Sequence, residues 1–414
     1  MTVDRGDLDS KAETTNDQCE SASSANDAQS GLSRRRLLRL AALGGVGLTV
    51  GGLVEACGGT TPAAGPAAAP AAKPAESKPA VESKPAAESK PAAPAVAKAK
   101  KKVVVAQAIQ TLIYLPLYVA IDKYAAEEGI EVDLQTSQGS ALAVQALVAK
   151  EAHFSVHDPA RGVGAMQKGA DLRLVAPMVM RASVWIYGGK NIKPNDVDSW
   201  KGKTLAVQQA PTTQYSLAQW SLVRKGWKLD PANGDIIRPP DGGQPLTLVQ
   251  VKAGAETASV LGGRADMAIS VEPDTSIGVS KGLQVLWSFP QEFGPFFFTT
   301  VATRTDLVKN EPDTVQALVN AVTKAHKFVH KNPAEAVAIG RKWFPDADPA
   351  VVEAATRRML DEGVYPADSS VSKEAFDANF AKLLPEVNYP LNFPVKYDEV
   401  MELSFAEKAN KLTI

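Results

Sequence analysis

Two pairs of histidines have the spacing to hold a metal, and both lack the rest of the donor set. His326 and His330 stand four apart in a stretch of helical periodicity, so one helix face would carry both rings. A zinc peptidase of that geometry has a glutamate directly after the first histidine, and Lys327 occupies that place. The pair therefore reads as a solvated helix face. His153 and His157 bracket a short apolar segment, with Asp158 next in line, but the partners that would complete a metal site are missing. No Gly-x-Ser-x-Gly elbow and no phosphate-binding loop occurs, so activated-serine and nucleotide chemistry find no support. No metal or cofactor is expected.

The whole chain bounds the remaining possibilities. Its 414 residues carry a net charge of −1, which gives no basis for nucleic-acid binding. The only cysteines, Cys19 and Cys57, precede the region of globular composition, so the body has no disulfide to lean on. That body, of about 310 residues, is long enough to be held by core burial alone.

The first 32 residues are polar and poor in large apolar side chains, which predicts disorder. Ser33-Arg34-Arg35-Arg36-Leu37-Leu38-Arg39 then resembles the twin-arginine export motif. The apolar, glycine-rich run from Leu40 to Val54 is short for a membrane span and suits a signal-peptide core. It ends at Val54-Glu55-Ala56-Cys57-Gly58, which resembles a lipobox, with Glu55 departing from the usual small or apolar residue. The resemblance implies a signal peptide over residues 1–57, lipidation of Cys57, and anchoring at the extracytoplasmic face of the cell membrane. Residues 58–101 repeat Ala, Pro, Lys, Glu and Ser, as in Lys73-Pro74-Ala75-Glu76-Ser77. Such a segment cannot bury a core and favours polyproline II; at about 3.1 Å per residue it reaches on the order of 130 Å. It is read as a passive disordered tether.

From Lys102 the pattern alternates strand and helix. Val103–Ala106, Ile130–Leu134, His153–Val156 and Leu172–Ala176 read as strands, separated by helices opening at Pro116, Ser140 and Pro159. A second series follows: strands at Thr204–Val207, Leu246–Val251 and Asp266–Ile269, with helices over 213–226 and 256–261. Strand 296–301 precedes a helical C-terminal third, with helices over 312–331, 333–343, 349–360, 373–383 and 396–409. Alternation at this spacing predicts α/β structure with parallel sheets. Asp158-Pro159 and Glu272-Pro273 follow two similar helix–turn–strand segments, which suggests two similarly built lobes.

Several segments together carry a family resemblance: Pro116-Leu117-Tyr118-Val119-Ala120 with Glu128-Gly129-Ile130-Glu131-Val132, the segment from Ala146 to Ser155, Trp200-Lys201-Gly202-Lys203-Thr204, and Gly263-Arg264-Ala265-Asp266 leading to Glu272-Pro273. Over residues 103–385 the chain resembles the nitrate, sulfonate and taurine branch of ABC-transporter solute-binding proteins, which includes thiamine-pyrimidine binders. The resemblance implies the type II periplasmic-binding-protein fold, in which two α/β lobes are joined by two hinge crossings around a ligand cleft. The crossings fall near residues 187–191 and 291–295, with lobe 1 over 102–188 and 294–414 and lobe 2 over 189–293. It also implies a monomer that delivers a small ligand to a membrane permease driven by an ATPase. The alternatives are a ligand-presenting sensor lipoprotein and a pyrimidine-synthase-like enzyme of the same fold.

Ligands in open α/β sheets lie beyond the carboxyl ends of the strands. Four loops qualify, and they nominate Tyr114, His157, Asp158, Gln208, Thr212, Thr213 and Glu272, with Arg181 as a further anion partner. Thr212 and Thr213 can cap a helix and offer hydroxyls; Tyr114 can stack on a planar ligand. Gln208, Gln209, Tyr114 and the tryptophans suit a neutral pyrimidine-like, flavin-like or other aromatic ligand somewhat better than a sulfonate or nitrate-like anion.

Overall fold

A computed structural model describes residues 100–414, so the export, lipidation and Cys57 readings, with nearly all of the tether, lie outside it. The described strands, in chain order, are β1 (Lys101–Gln107), β2 (Ile130–Thr136), β3 (Phe154–His157), β4 (Leu172–Arg181), β5 (Trp185–Gly188), β6 (Thr204–Gln208), β7 (Lys228–Leu229), β8 (Ile236–Arg238), β9 (Leu246–Val251), β10 (Met267–Ser270), β11 (Gln284–Ser288) and β12 (Pro295–Arg304). They form two sheets, one ordered β2-β1-β3-β12-β4 and the other β11-β5-β10-β6-β9-β8-β7.

The two sheets repeat one local plan. In the first, β1 lies between β2 and β3 and is parallel to both; in the second, β6 lies between β9 and β10 and is parallel to both. In each, the chain leaves the central strand toward one side and later returns on the other. The strand order therefore reverses at β1 and at β6, and a crevice opens beyond their carboxyl ends. Helices cover the faces of both sheets, so the central strands are buried over most of their length. Val103, Val105 and Ala106 of β1 and Leu205, Ala206 and Val207 of β6 are almost wholly inaccessible.

The chain crosses between sheets twice. Ala182–Val184 link β4 to β5, and the helix Phe289–Phe293 with Gly294 links β11 to β12. Gly294 has φ 66°, a conformation that strains any residue with a Cβ. The first crossing lies a few residues before the expected 187–191. Tyr187 and Gly188, placed at the crossing in sequence, instead end strand β5 (Trp185–Gly188), which is antiparallel to β10 and β11. Four residues are too few to show a strand period, and burial on both faces removes the alternation that would have marked them. The C-terminal helices Pro312–Lys331, Pro333–Trp343 and Pro349–Asp361 keep the expected bounds to within a residue. The helix expected over 396–409 is broken: Met401 makes a β-bridge to Leu174, leaving Tyr397–Val400 and Ser404–Asn410 as separate short helices.

One of the paired histidines also differs from expectation. His326 is fully buried, 3.4 Å from the Ser369 hydroxyl, and burial pushes its pKa down to about 3. His330 donates from Nε2 to the Tyr365 carbonyl at 3.0 Å. His326 therefore serves the packing of the helix Pro312–Lys331, whereas His330 stays on the exposed face that the sequence suggests.

Candidate functional site

The loops beyond β1, β2, β3, β6, β9 and β10 converge on one cavity of about 520 Å³ between the two sheets. From the first lobe come Ile113 and Tyr114 after β1, Gln138 to Ala141 after β2, Asp158 and Arg161 after β3, and Phe298 and Thr299 of β12. From the second come Gln208 to Ala210 and Thr212 to Gln214 after β6, Lys252 after β9, and Val271 after β10.

Local sequence explains how these groups are held. Tyr118 stacks on Trp343 at 4.7 Å between centroids, and its hydroxyl donates to Gln107 Oε1 at 3.0 Å while accepting from the Thr111 amide at 3.2 Å. This fixes the loop that presents Tyr114, whose ring is nearly inaccessible and whose phenol burial pushes upward, keeping it protonated. After β2, Gln138 and Gly139 take positive φ (58° and 144°) and turn the chain into the helix Ser140–Val148. That helix has no side-chain cap, so its first turn presents amide donors at the cavity wall.

Asp158 joins the lobes. Its Oδ1 accepts from the Ala160 amide at 2.9 Å and so caps the helix Pro159–Gln167. Its Oδ2 accepts from both the amide and the hydroxyl of Thr213, at 3.0 and 2.6 Å, across the cleft. Burial raises the Asp158 pKa, while these donors and the Arg161 charge oppose the rise. Arg161 donates to the Pro211 carbonyl of the other lobe beside this contact. Thr212 caps the helix Thr213–Val223 through the Tyr215 amide at 3.1 Å.

Tyr114, Asp158, Gln208, Thr212 and Thr213 thus all line the cavity, but Thr213 spends both of its donors on Asp158. His157, Arg181 and Glu272 are placed elsewhere. His157 is fully buried beneath the helix Pro159–Gln167, where a Cβ on Gly162 would stand 2.7 Å from its Nε2; burial pushes its pKa down to about 3. Arg181 reaches the second crossing and donates to the Pro290 carbonyl at 3.3 Å. Glu272 is fully buried against Arg358 (2.8 Å) behind the cavity, and Trp185 donates to Glu362 at the hinge (2.9 Å). These side chains follow the right strands but point into the core or the hinge, a distinction that loop position alone does not reveal.

Sequence reasoning missed Thr299, Lys252 and the 138–141 turn. Thr299 is 4% exposed, lines the cavity, and its hydroxyl has no hydrogen-bond partner among the described residues. It lies inside β12, where no loop signal points. Lys252, Arg161, Thr299 and the uncapped start of the helix Ser140–Val148 add hydrogen-bond donors to the wall that Tyr114, Gln208 and Thr212 also line.

Behind Gln214 sits an acidic pair. Burial raises Glu256 to about 7, with the charge of Asp274 adding to the rise, and burial raises Asp274 to about 6. Both folded values exceed the unfolded ones, so protonation favours the folded state. The stabilisation is complete below about pH 4 and is lost as pH rises through about 6 to 7, a swing on the order of 3 kcal/mol for Glu256. Glu256→Gln is expected to flatten the urea-midpoint profile between pH 5 and 8; an unaltered profile would show that Glu256 does not titrate there.

The sequence model of the NMT1/THI5-like family matches residues 113–227 and 239–336, just over half of the chain. The Bacillus subtilis protein YtlA, provisionally named a binding protein, is 23% identical over 313 residues, covering 74% of this chain and 89% of YtlA. Among solved structures, the ligand-binding component of an ABC-type import system from Staphylococcus aureus, with zinc bound, superposes with a TM-score of 0.60 at 15% identity, covering 75% of this chain and 99% of its own. The alkanesulfonate-binding protein of Xanthomonas axonopodis pv. citri, bound to MOPS, gives 0.57 at 15% identity, covering 75% of this chain and all of the other. These likenesses establish the type II periplasmic-binding-protein architecture, and with two sheets, two crossings and one cleft between them, the chain belongs to the NMT1/THI5-like family.

Proposed function

We propose that this chain is an exported solute-binding protein that captures a small organic anion in its cleft and delivers it to an ABC importer. The observation that carries this reading is the cavity itself: strand ends from two separate sheets wall it, and Asp158 and Thr213 bridge the lobes directly beside it. A ligand held there is released by opening at the two crossings. Names of the matched proteins support the importer, and the oxygen-seeking wall supports an anion. Tyr114, Gln208, Thr212, Thr299 and Lys252 are the proposed ligand contacts. Capture rather than catalysis fits the two buried histidines, which face the core, and an Asp158 carboxylate whose oxygens are already engaged. The leader motif and Cys57 support export by the twin-arginine route and lipid anchoring at the extracytoplasmic face; incorporation of labelled palmitate that is lost in Cys57→Ala tests the anchor.

The cleft is tested by thermal unfolding against sulfonates, nitrate, carboxylates, pyrimidines and riboflavin. A true ligand at 100 times its Kd stabilises the fold by about 2.7 kcal/mol. Thr299→Val is expected to leave the unliganded protein as stable as before, since the lost hydroxyl has no partner, and to weaken the ligand several-fold. No stabilisation by any member of the panel, or full affinity in Thr299→Val, would count against the reading.

A further inference from the structure

A second cavity, of about 630 Å³, adjoins the cleft and shares Ala141 and Arg161 with it. Its walls are the helices Ser140–Val148 and Pro159–Gln167, the segment from Tyr389 to Asn392, and Pro211 of the other lobe. Val144, Ala160, Ala165 and Leu391 make it largely apolar, and the exposed Lys168 stands at its rim. Two of its lining residues carry unmet donors: the Tyr389 hydroxyl, on a side chain only 6% exposed, and Arg161 Nε have no hydrogen-bond partner among the described residues. The nearby Asp158 carboxylate is committed to Ala160 and Thr213. Buried donors left unmet in this way call for an acceptor from outside the chain.

Building on the reading of the cleft as the ligand site, we propose that this cavity is a second arm of that site, which takes the far end of an elongated organic anion. The ligand's head lies in the cleft against Thr299, Lys252 and the Ser140 helix start. Its apolar body passes Ala141, and a second oxygen-bearing group reaches Tyr389, Arg161 and Lys168. An inorganic ion would leave most of both cavities empty, whereas a volume of several hundred Å³ suits an extended molecule. Arg161 stands at the junction, tied to Pro211, and so registers both occupancy of the arm and closure of the lobes.

The test is calorimetric titration of the full chain with butanoate, octanoate and octanedioate. Octanedioate is expected to bind at least about ten-fold more tightly than butanoate, with octanoate between them. Ala165→Trp fills the arm from a half-buried position and is expected to collapse that ratio; Lys168→Glu, an exposed change, is expected to lower octanedioate affinity while the octanoate-to-butanoate ratio persists. Equal affinities for the three acids, no binding of any of them, or a preference that survives both variants would overturn the second arm. If Thr299→Val weakens all three acids while both arm variants behave as wild type, the cleft reading stands and the arm alone fails.

Discussion

Arg358→Ala is expected to lower the unfolding free energy by about 3 kcal/mol at pH 8, the low end of what breaking a buried ion pair costs because Arg358 remains partly solvated. Glu272 is 0% exposed, and its carboxylate meets Arg358 Nε at 2.8 Å, where Arg358 is 21% exposed. The Ser276 amide and hydroxyl also donate to it, at 3.0 and 2.9 Å, and would remain. Burial already raises the Glu272 pKa despite the opposing Arg358 charge, so removing that charge raises it further. The sign follows: the folded variant binds the proton more tightly than the unfolded chain does, so its deficit is largest above the raised value and shrinks as pH falls through it. Urea titrations at pH 8 and pH 5 should show the smaller loss at pH 5. Pairing Arg358→Met with Glu272→Gln should recover most of the stability, since no unpaired charge remains. A loss under about 1 kcal/mol at both pH values would mean that water reaches Glu272 and relieves it.

Glu272 also ties the lobes together through its backbone, besides the two crossings and the Asp158–Thr213 and Arg161–Pro211 bridges. The Glu272 carbonyl, in the second lobe, accepts from the Leu112 amide at 3.1 Å and the Thr111 hydroxyl at 2.6 Å, both in the first. Arg358 also lies over the Trp185 ring, 6.0 Å from its centroid, just past the first crossing. Glu272 was nominated in sequence because it follows a strand that ends at the cleft, and its backbone does border it, since Val271 lines the cavity. One residue further on, the side chain turns away. Val271 and Glu272 lie past the end of β10, in the turn into the next helix, where side-chain direction follows no fixed alternation, so a strand-end argument locates the loop and leaves the choice of side chain undetermined.

That pattern holds across the molecule. Sheets and helices were legible wherever apolar periodicity was long, as in Pro312–Lys331, and wherever a strand was bounded by clear turns, as in Ile130–Thr136. Short or fully buried strands escaped: β5 carries no alternation, and β11 hides between a glycine turn and a proline helix start. At the site, Thr212 and Asp158 could be found because capping leaves a local mark before a helix. Thr299 could not, because its role depends on β12 returning to the first sheet after the whole of the second sheet has intervened. Pairing partners so distant in sequence leave no local trace.

Thr213→Val should weaken ligand binding about ten-fold or more while changing global stability little. The hydroxyl donates to a buried carboxylate at 2.6 Å, and hydrogen bonds to charged groups contribute about 1.5–3 kcal/mol. In this case the energy belongs to the contact between lobes. The Thr213 amide still reaches Asp158, Thr212 still caps its helix, and Asp158 still caps Pro159–Gln167, so each lobe keeps its own support. What is lost is closure: apparent affinity falls in proportion to the closed fraction. Thr213→Ser keeps the hydroxyl and should bind as wild type. Asp158→Ala removes both bridging bonds together with the helix cap; it should open the protein further and also lower stability by roughly 0.5–2 kcal/mol. Small-angle scattering of the unliganded variants reads the opening directly, as a larger radius of gyration in Asp158→Ala than in Thr213→Ser. If Thr213→Val loses affinity with no change in compactness, its hydroxyl acts on the ligand itself, as the sequence first suggested, and the bond to Asp158 would be only its resting partner.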